Sequence, residues 1–287
     1  MEHDFLSTYL MDEAVSDVHF IPQEDTVLLR VRRPSGLSDP VHIDPKDYGV
    51  LLQKVKLAGG LNISEKRLPQ DGILHRGDQR VRISTLRSIH GEALTLRLLG
   101  KGGRTLEKLG LSEAQLAGLR ELFFEGFSLL VITGETGSGK STTLKALVRS
   151  LTLRGAKVVS IEDPVEINVP GSLEVSLHEA IGLDYERAIF ASLRQDPDYL
   201  AIGEIRDQKT CDHCIRAALS GHPVVTTLHS GGYDFALRRL EALTSLSDFV
   251  PTVLTAVLTQ KLTPGINGER RLNAAFYWAR AGEVVKL

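Results

Sequence analysis

Ser128-Leu129-Leu130-Val131-Ile132-Thr133-Gly134-Glu135-Thr136-Gly137-Ser138-Gly139-Lys140-Ser141-Thr142-Thr143-Leu144-Lys145 decides how the chain is read. Its first six residues are an apolar, β-branched run of the kind that makes a buried strand. Residues 134–141 spell G-x-x-x-x-G-K-S, and 142–148 have helical composition with no breaker. Strand, glycine loop, helix is the setting in which backbone N–H groups and a helix N-terminus face an anion. Gly134, Glu135, Thr136, Gly137, Ser138, Gly139, Lys140, Ser141 and Thr142 are therefore the expected cradle for the phosphates of ATP. Lys140 is placed to reach the terminal phosphates and the Ser141 hydroxyl to bind Mg²⁺.

The 287 residues suit one large or two medium domains. Lys plus Arg, 34, nearly balances Asp plus Glu, 36, which gives no chain-wide basic bias toward nucleic acid. Met1-Glu2-His3-Asp4 is acidic where a secretion signal is basic. The apolar runs Phe127 to Thr133 and Phe249 to Leu258 fall well short of the ~20 residues of a spanning helix. A cytoplasmic protein is expected.

The two cysteines sit in Cys211-Asp212-His213-Cys214. No second Cys/His pair follows at a spacing that would complete four zinc ligands. The segment Gln208 to Ser220 also reads as a helix with Ile215, Ala217, Ala218 and Leu219 inward, so the cysteines are expected to be structural.

Along the chain the pattern changes once. Val18 to Ile21 and Thr26 to Arg32 read as two antiparallel strands, and a helix from Asp44-Pro45 carries Tyr48, Leu51, Leu52, Val55 and Leu57 before Gly59-Gly60. Strand candidates follow at Gly72 to Leu74, Gln79 to Thr85 and Ala93 to Leu99. This gives a small α+β domain over residues 1–99. Gly100-Lys101-Gly102-Gly103-Arg104 marks a flexible linker, 100–105. Over 106–287, helix (Glu113 to Phe124, Tyr185 to Gln195, Gln208 to Ser220) alternates with strand (the run before the loop, Lys157 to Ile161, Tyr199 to Gly203, Pro223 to Leu228). That alternation predicts an α/β domain with a mostly parallel sheet whose active edge lies at the strands' carboxyl ends.

Polar clusters stand at those ends: Glu162-Asp163-Pro164-Val165-Glu166, Glu204-Ile205-Arg206-Asp207 and His229-Ser230, with His222 just before the last strand. Asp163 or Asp207 alone could be a helix cap. Three clusters converging on one phosphate loop point instead to Mg²⁺, water and phosphate as users of Glu162 and Glu204. Gly203 departs from the usual aspartate that holds Mg²⁺ through water, and Glu162 or Asp163 is the candidate to take over that work.

In order and spacing, Glu162-Asp163-Pro164-Val165-Glu166, Leu193-Arg194-Gln195-Asp196-Pro197-Asp198, Gly203-Glu204-Ile205-Arg206-Asp207 and Gly221-His222-Pro223-Val224-Val225-Thr226-Thr227-Leu228-His229 resemble the motor ATPases of type II secretion and type IV pilus systems. These resemble that family's Asp box, Walker B and His box. Ser16-Asp17-Val18-His19-Phe20, Pro69-Gln70-Asp71-Gly72, Val81-Arg82-Ile83-Ser84-Thr85-Leu86, His90-Gly91-Glu92 and Leu96-Arg97-Leu98-Leu99 extend the likeness over the N-terminal half.

The resemblance implies a hexameric ring, with a PAS-like N-terminal domain beside a RecA-like motor domain and nucleotide between the two. The ring would drive a membrane platform protein that adds pilin subunits, at the inner face of the cell membrane. It implies Glu204 as general base, Glu162 and His229 as further catalytic residues, and Arg82 and Arg97 as phosphate contacts. His222 would couple nucleotide state to neighbouring elements. The Ser-Asp-Val-His and Arg-Ile-Ser-Thr motifs favour the assembly branch over the retraction branch. The platform-docking domain and Cys-x-x-Cys zinc module of many assembly members are not found, and Gln260-Lys261-Leu262 is followed by about one hairpin, Arg271 to Trp278 and Glu283 to Lys286. That trimmed form is similar to the ATPases of competence pseudopili, which serve DNA uptake. A nucleic-acid translocase and a nucleotide-sensing scaffold without turnover are the alternatives. The 6% aromatic content and net charge of −2 speak against the first, and intact Lys140, Glu162, Glu204 and His229 against the second.

Overall fold

The computed structural model describes residues 8–10, 12, 14–33, 35–76, 79–99, 104–178, 181–264, 270–280 and 282–287. Among these the chain divides into two compact units, 8–99 and 104–287. Gly100 to Gly103, the heart of the expected linker, lies outside the described residues.

In the N-terminal unit seven strands, β1 (Asp17–Pro22), β2 (Val27–Arg33), β3 (Gly36–Leu37), β4 (Val41–Ile43), β5 (Gln70–Arg76), β6 (Gln79–Ser88) and β7 (Gly91–Leu99), build one antiparallel sheet. Their order is β3-β2-β1-β7-β6-β5, with β4 also beside β2. Alternation along the strands sends Val18, Phe20, Leu29, Val31, Val81, Ile83, Leu94 and Leu96 to one buried face. There they meet Tyr48 and Val55 of the helix Pro45–Ala58. The Asp44 carboxylate accepts from Lys46 N at 2.8 Å to cap that helix. Leu57, expected on its inward face, is 70% exposed, and Lys56 takes the buried place. The reason is an ion pair: Lys56 Nζ lies 2.8 Å from Glu92 Oε1, and a buried amine is tolerated only with such a partner.

The C-terminal unit holds an eight-stranded sheet of β8 (Leu129–Thr133), β9 (Val158–Glu162), β10 (Leu173–Ser176), β11 (Tyr199–Ile202), β12 (Val224–Leu228), β13 (Leu254–Pro264), β14 (Arg270–Arg280) and β15 (Glu283–Lys286). The order is β10-β9-β11-β12-β8-β13-β14-β15. It is parallel from β10 to β13 and antiparallel from β13 to β15. β8, β9 and β12 are buried at every residue because helices cover both faces. Leu130 and Ile132 face Leu119, Leu122, Leu144 and Leu147 of the helices Glu113–Glu125 and Lys140–Leu153. Leu129 and Val131 face Ile189, Ile215 and Leu240 of the helices Tyr185–Leu193, Gln208–Leu219 and Tyr233–Leu243.

Several elements go beyond the sequence reading, β3 and β4 of the N-terminal unit among them. β10 is four residues long on the sheet edge, too short to show a period. β13 begins inside the apolar run Phe249–Leu258, whose first part forms the short helix Val250–Val253. The helix Tyr233–Leu243 carries only Tyr233, Ala236 and Leu240 as buried residues. This core is the α/β arrangement with a mostly parallel sheet that the strand–helix alternation predicts, and it fits the RecA-like domain that the resemblance implies. Cys211 and Cys214 are one helical turn apart on an inward face, and both are fully buried. Burial pushes the Cys211 thiol up to about 12 and the Cys214 thiol well above its ordinary value.

Candidate active site

The loop after β8 folds over the middle of β13. At Gly134 (φ +152) a Cβ would stand 2.3 Å from the Gln260 carbonyl oxygen, so no larger residue fits. The helix then starts at Lys140. The Lys140 amine donates back to Gly134 O at 2.8 Å and Glu135 O at 2.9 Å. Burial pushes Lys140 below its ordinary value, and the nearby Glu204 carboxylate opposes that shift. Ser141 is exposed and Thr142 half-buried in the first helical turn, where a phosphate-bound cation would be met.

Glu204 leaves the end of β11 held on both oxygens. Oε2 accepts from Arg206 Nε at 2.8 Å, and Oε1 lies 3.0 Å from His229 Nε2 just beyond β12. The parallel pairing of β11 with β12 brings these two strand ends together. The Thr227 hydroxyl donates to Gly203 O at 2.7 Å, and Ile205 N donates to Thr227 O at 3.0 Å. His222 stands at the opposite, amino end of β12, where Nδ1 lies 3.0 Å from the Ser220 hydroxyl. Asp207 caps the helix Gln208–Leu219 by accepting from Thr210 N at 2.8 Å.

Glu162 ends β9 beside Gly203. A Cβ on Gly203 would come within 3.1 Å of Glu162 Cγ and 3.2 Å of the Tyr185 hydroxyl. The glycine in place of the usual aspartate is thus a matter of space, since Glu162 fills it. Sequence reasoning aims Glu162 at Mg²⁺, but its Oε1 is committed elsewhere. It accepts from the Ser160 hydroxyl at 2.8 Å and pairs with the Lys145 amine, which leaves Oε2 for any metal contact. Lys145 also pairs with Glu174 Oε2 of β10 at 2.5 Å. Burial pushes the Glu162 carboxyl above its ordinary range, against the pull of Lys145. The sequence reading assigns no role to Lys145 or Glu174, and the only local signal is a lysine on the apolar face of a helix.

In the N-terminal unit Arg82 and Arg97 are direct cross-strand neighbours on β6 and β7, and Asp17 of β1 is the next residue in the row. Arg97 Nε donates to Asp17 Oδ1 at 2.7 Å, and Arg82 meets Asp71 at 3.3 Å on the exposed side. The pairing register brings the two arginines together on the face opposite the apolar core. Among the described residues no three His, Cys, Asp or Glu side chains cluster in a way that would hold a metal by themselves. No described helix is long and apolar enough to cross a membrane.

Residues 4–277 match the family described as type II/IV secretion system protein. The type II secretion system protein HxcR of Pseudomonas aeruginosa is 35% identical over 288 residues, covering 98% of this chain and 61% of that protein. The type IV pilus assembly ATPase PilB of Thermus thermophilus is 36% identical over 253 residues, covering 86% of this chain and 28% of that protein. The chain thus spans less than two thirds of either relative's length. A crystal structure of the pilus retraction motor PilT with bound ADP overlays with a TM-score of 0.77 at 26% identity, over 97% of this chain and 83% of that one. The ATPase DotB of Legionella pneumophila shares the fold, with a TM-score of 0.76 at 22% identity, over 97% of this chain and 81% of that one.

Proposed function

This chain belongs to the type II/IV secretion system protein family, and on that footing we propose that it is a Mg²⁺-dependent ATPase. Its hydrolysis powers assembly of a type IV pilus or pseudopilus. The observation that carries this reading is Glu204, oriented on both oxygens by Arg206 and His229 and felt electrostatically by Lys140 of the phosphate loop. A carboxylate so fixed takes the proton of an attacking water, while the loop N–H groups and Lys140 hold the phosphates.

Ser141 and Glu162 would hold Mg²⁺, which would supply charge neutralisation on the phosphates. His229 keeps Glu204 in place. Arg82 and Arg97 extend the phosphate contacts from the N-terminal unit. By its family the chain works as a homohexamer on a membrane platform protein at the cytoplasmic face of the membrane, with residues 1–99 a PAS-like domain joined by a linker to the motor domain. It makes no direct contact with nucleic acid.

Phosphate release by purified protein, present in wild type and absent in Lys140→Ala, tests the chemistry. Deletion in the host, scored for piliation, secretion and DNA uptake, tests the system. The likeness to a retraction motor at 26% identity supports one other reading, in which the same ATPase cycle disassembles a pilus. Filaments that assemble but no longer retract after deletion would favour it.

A further inference from the structure

The middle of β13 touches the phosphate loop at two places, and both contacts come from Gln260. Thr259 is the pairing partner of Thr133, so Gln260 lies alongside Gly134. The Gln260 main-chain oxygen closes on Gly134, as the 2.3 Å approach to a Cβ there shows. Its side chain crosses the loop, and Nε2 donates to the Ser138 carbonyl at 2.6 Å. Gln260 is 2% exposed and Ser138 4% exposed, so water does not compete for this bond.

A trans peptide points its C=O and the following N–H in opposite directions. By holding the Ser138 carbonyl on the β13 side, Gln260 turns the Gly139 N–H away from β13 and into the mouth of the loop. That N–H is one of the donors a phosphate needs, and Lys140 and the helix N-terminus follow directly. The same residue also bounds the loop sterically, since a Cβ on Gly139 would stand 3.2 Å from Gln260 Nε2.

Stability alone does not explain a glutamine here. Its Oε1 is buried with no hydrogen-bond partner among the described residues. A buried acceptor without a donor lowers stability, and this loss offsets what the side chain gains by donating to the Ser138 carbonyl. We propose that Gln260 is a positioning residue for nucleotide binding, which presets the Ser138–Gly139 peptide so that the empty loop already presents the Gly139 N–H to the phosphates. The proposal rests on the nucleotide-site reading above and adds to it a residue 122 positions away from the loop atom it holds.

The test compares wild type, Gln260→Met and Gln260→Leu in the full chain, by ADP affinity and by the melting temperature of the nucleotide-free protein. Both substitutions keep a similar volume and remove the donor. The expected result is a rise of about tenfold or more in the ADP Kd, the scale of one lost oriented hydrogen bond near charge. The nucleotide-free melting temperature should change little, since removal of the unpaired Oε1 offsets the donor lost to the Ser138 carbonyl. Wild-type ADP affinity in either folded variant would overturn the proposal, as would an affinity loss matched by a fall in melting temperature. Failure of the wild type itself to bind ADP would instead overturn the nucleotide site, which separates the two readings.

Discussion

Glu204 and His229 face each other across the ends of neighbouring parallel strands, with Oε1 3.0 Å from Nε2. Arg206 holds the other carboxylate oxygen, so the side chain has one orientation rather than several. A base fixed before substrate arrives needs little rearrangement in the transition state.

Glu204→Gln keeps the shape and can still hydrogen-bond a water, but an amide does not accept its proton. ATP binding should remain within about twofold, while phosphate release falls by about 10²-fold or more. Wild-type turnover in this variant would move the role of base to Glu162.

Lys145 links the loop-bearing helix to two strands through Glu162 and Glu174. All three side chains are largely or fully buried. Lys145→Met leaves two carboxylates there without a cation, and breaking a buried pair from one side costs about 3–5 kcal/mol. Glu174→Gln should cost less, because Lys145 keeps Glu162. Urea unfolding of the two variants checks the ranking, and equal losses would contradict it.

The parts of this site that could be read from sequence are those whose chemistry is local. The phosphate loop is eight consecutive residues, and the acidic and histidine clusters follow strands whose burial shows as unbroken apolar runs. Cys211 and Cys214 are legible as core residues because a spacing of three places them on one helical face. What sequence does not show depends on register and long-range approach. Arg82 meets Arg97 only because β6 and β7 pair as they do. Lys145 finds Glu174 across 29 residues, and Gly203 is explained only once Glu162 is seen to fill the space beside it. The misplaced Leu57 has the same origin, since its neighbour Lys56 is drawn inward by Glu92 on a distant strand.

His19 gives the N-terminal unit a pH dependence. Burial pushes its ring below the ordinary histidine range, against the attraction of Asp17. The unfolded chain therefore takes up a proton first as pH falls below about 6.5, and the fold loses stability over that interval. Asp17 acts in the same sense at lower pH. Burial by itself would raise its carboxyl, but the hydrogen bonds from Arg97 and Ser16 prevail and hold it below the ordinary range. Its contribution is present above the unfolded value and lost as pH falls through the folded one. His19→Gln should show a smaller drop in urea midpoint between about pH 7.5 and about pH 5.5 than the wild type does. Equal drops would assign the effect to another group.

Arg97 and Arg82 provide the test of the N-terminal unit's part in catalysis. The bond from Arg97 to Asp17 uses Nε, which leaves the terminal nitrogens of the guanidinium to a second anion. Its side chain is 57% exposed, and Arg82 beside it is held only at 3.3 Å by an exposed aspartate. The Arg82 pair is on the surface and contributes about 0–1 kcal/mol, so Arg82 is not needed for folding, whereas Arg97 is one of the partners that hold the buried Asp17 carboxylate. If both supply positive charge to a transferring phosphoryl group, as arginine fingers do at gains of about 10³-fold or more, each substitution by Ala lowers the rate beyond any effect it has on stability. Arg97→Ala and Arg82→Ala should each lower ATP turnover by about 10²-fold or more with assembly size unchanged, the melting temperature holding in Arg82→Ala and falling in Arg97→Ala, where the buried Asp17 loses its cation. Turnover at the wild-type rate in both variants would remove the N-terminal unit from the chemistry and leave Lys140 as the proposed positive charge on the phosphates.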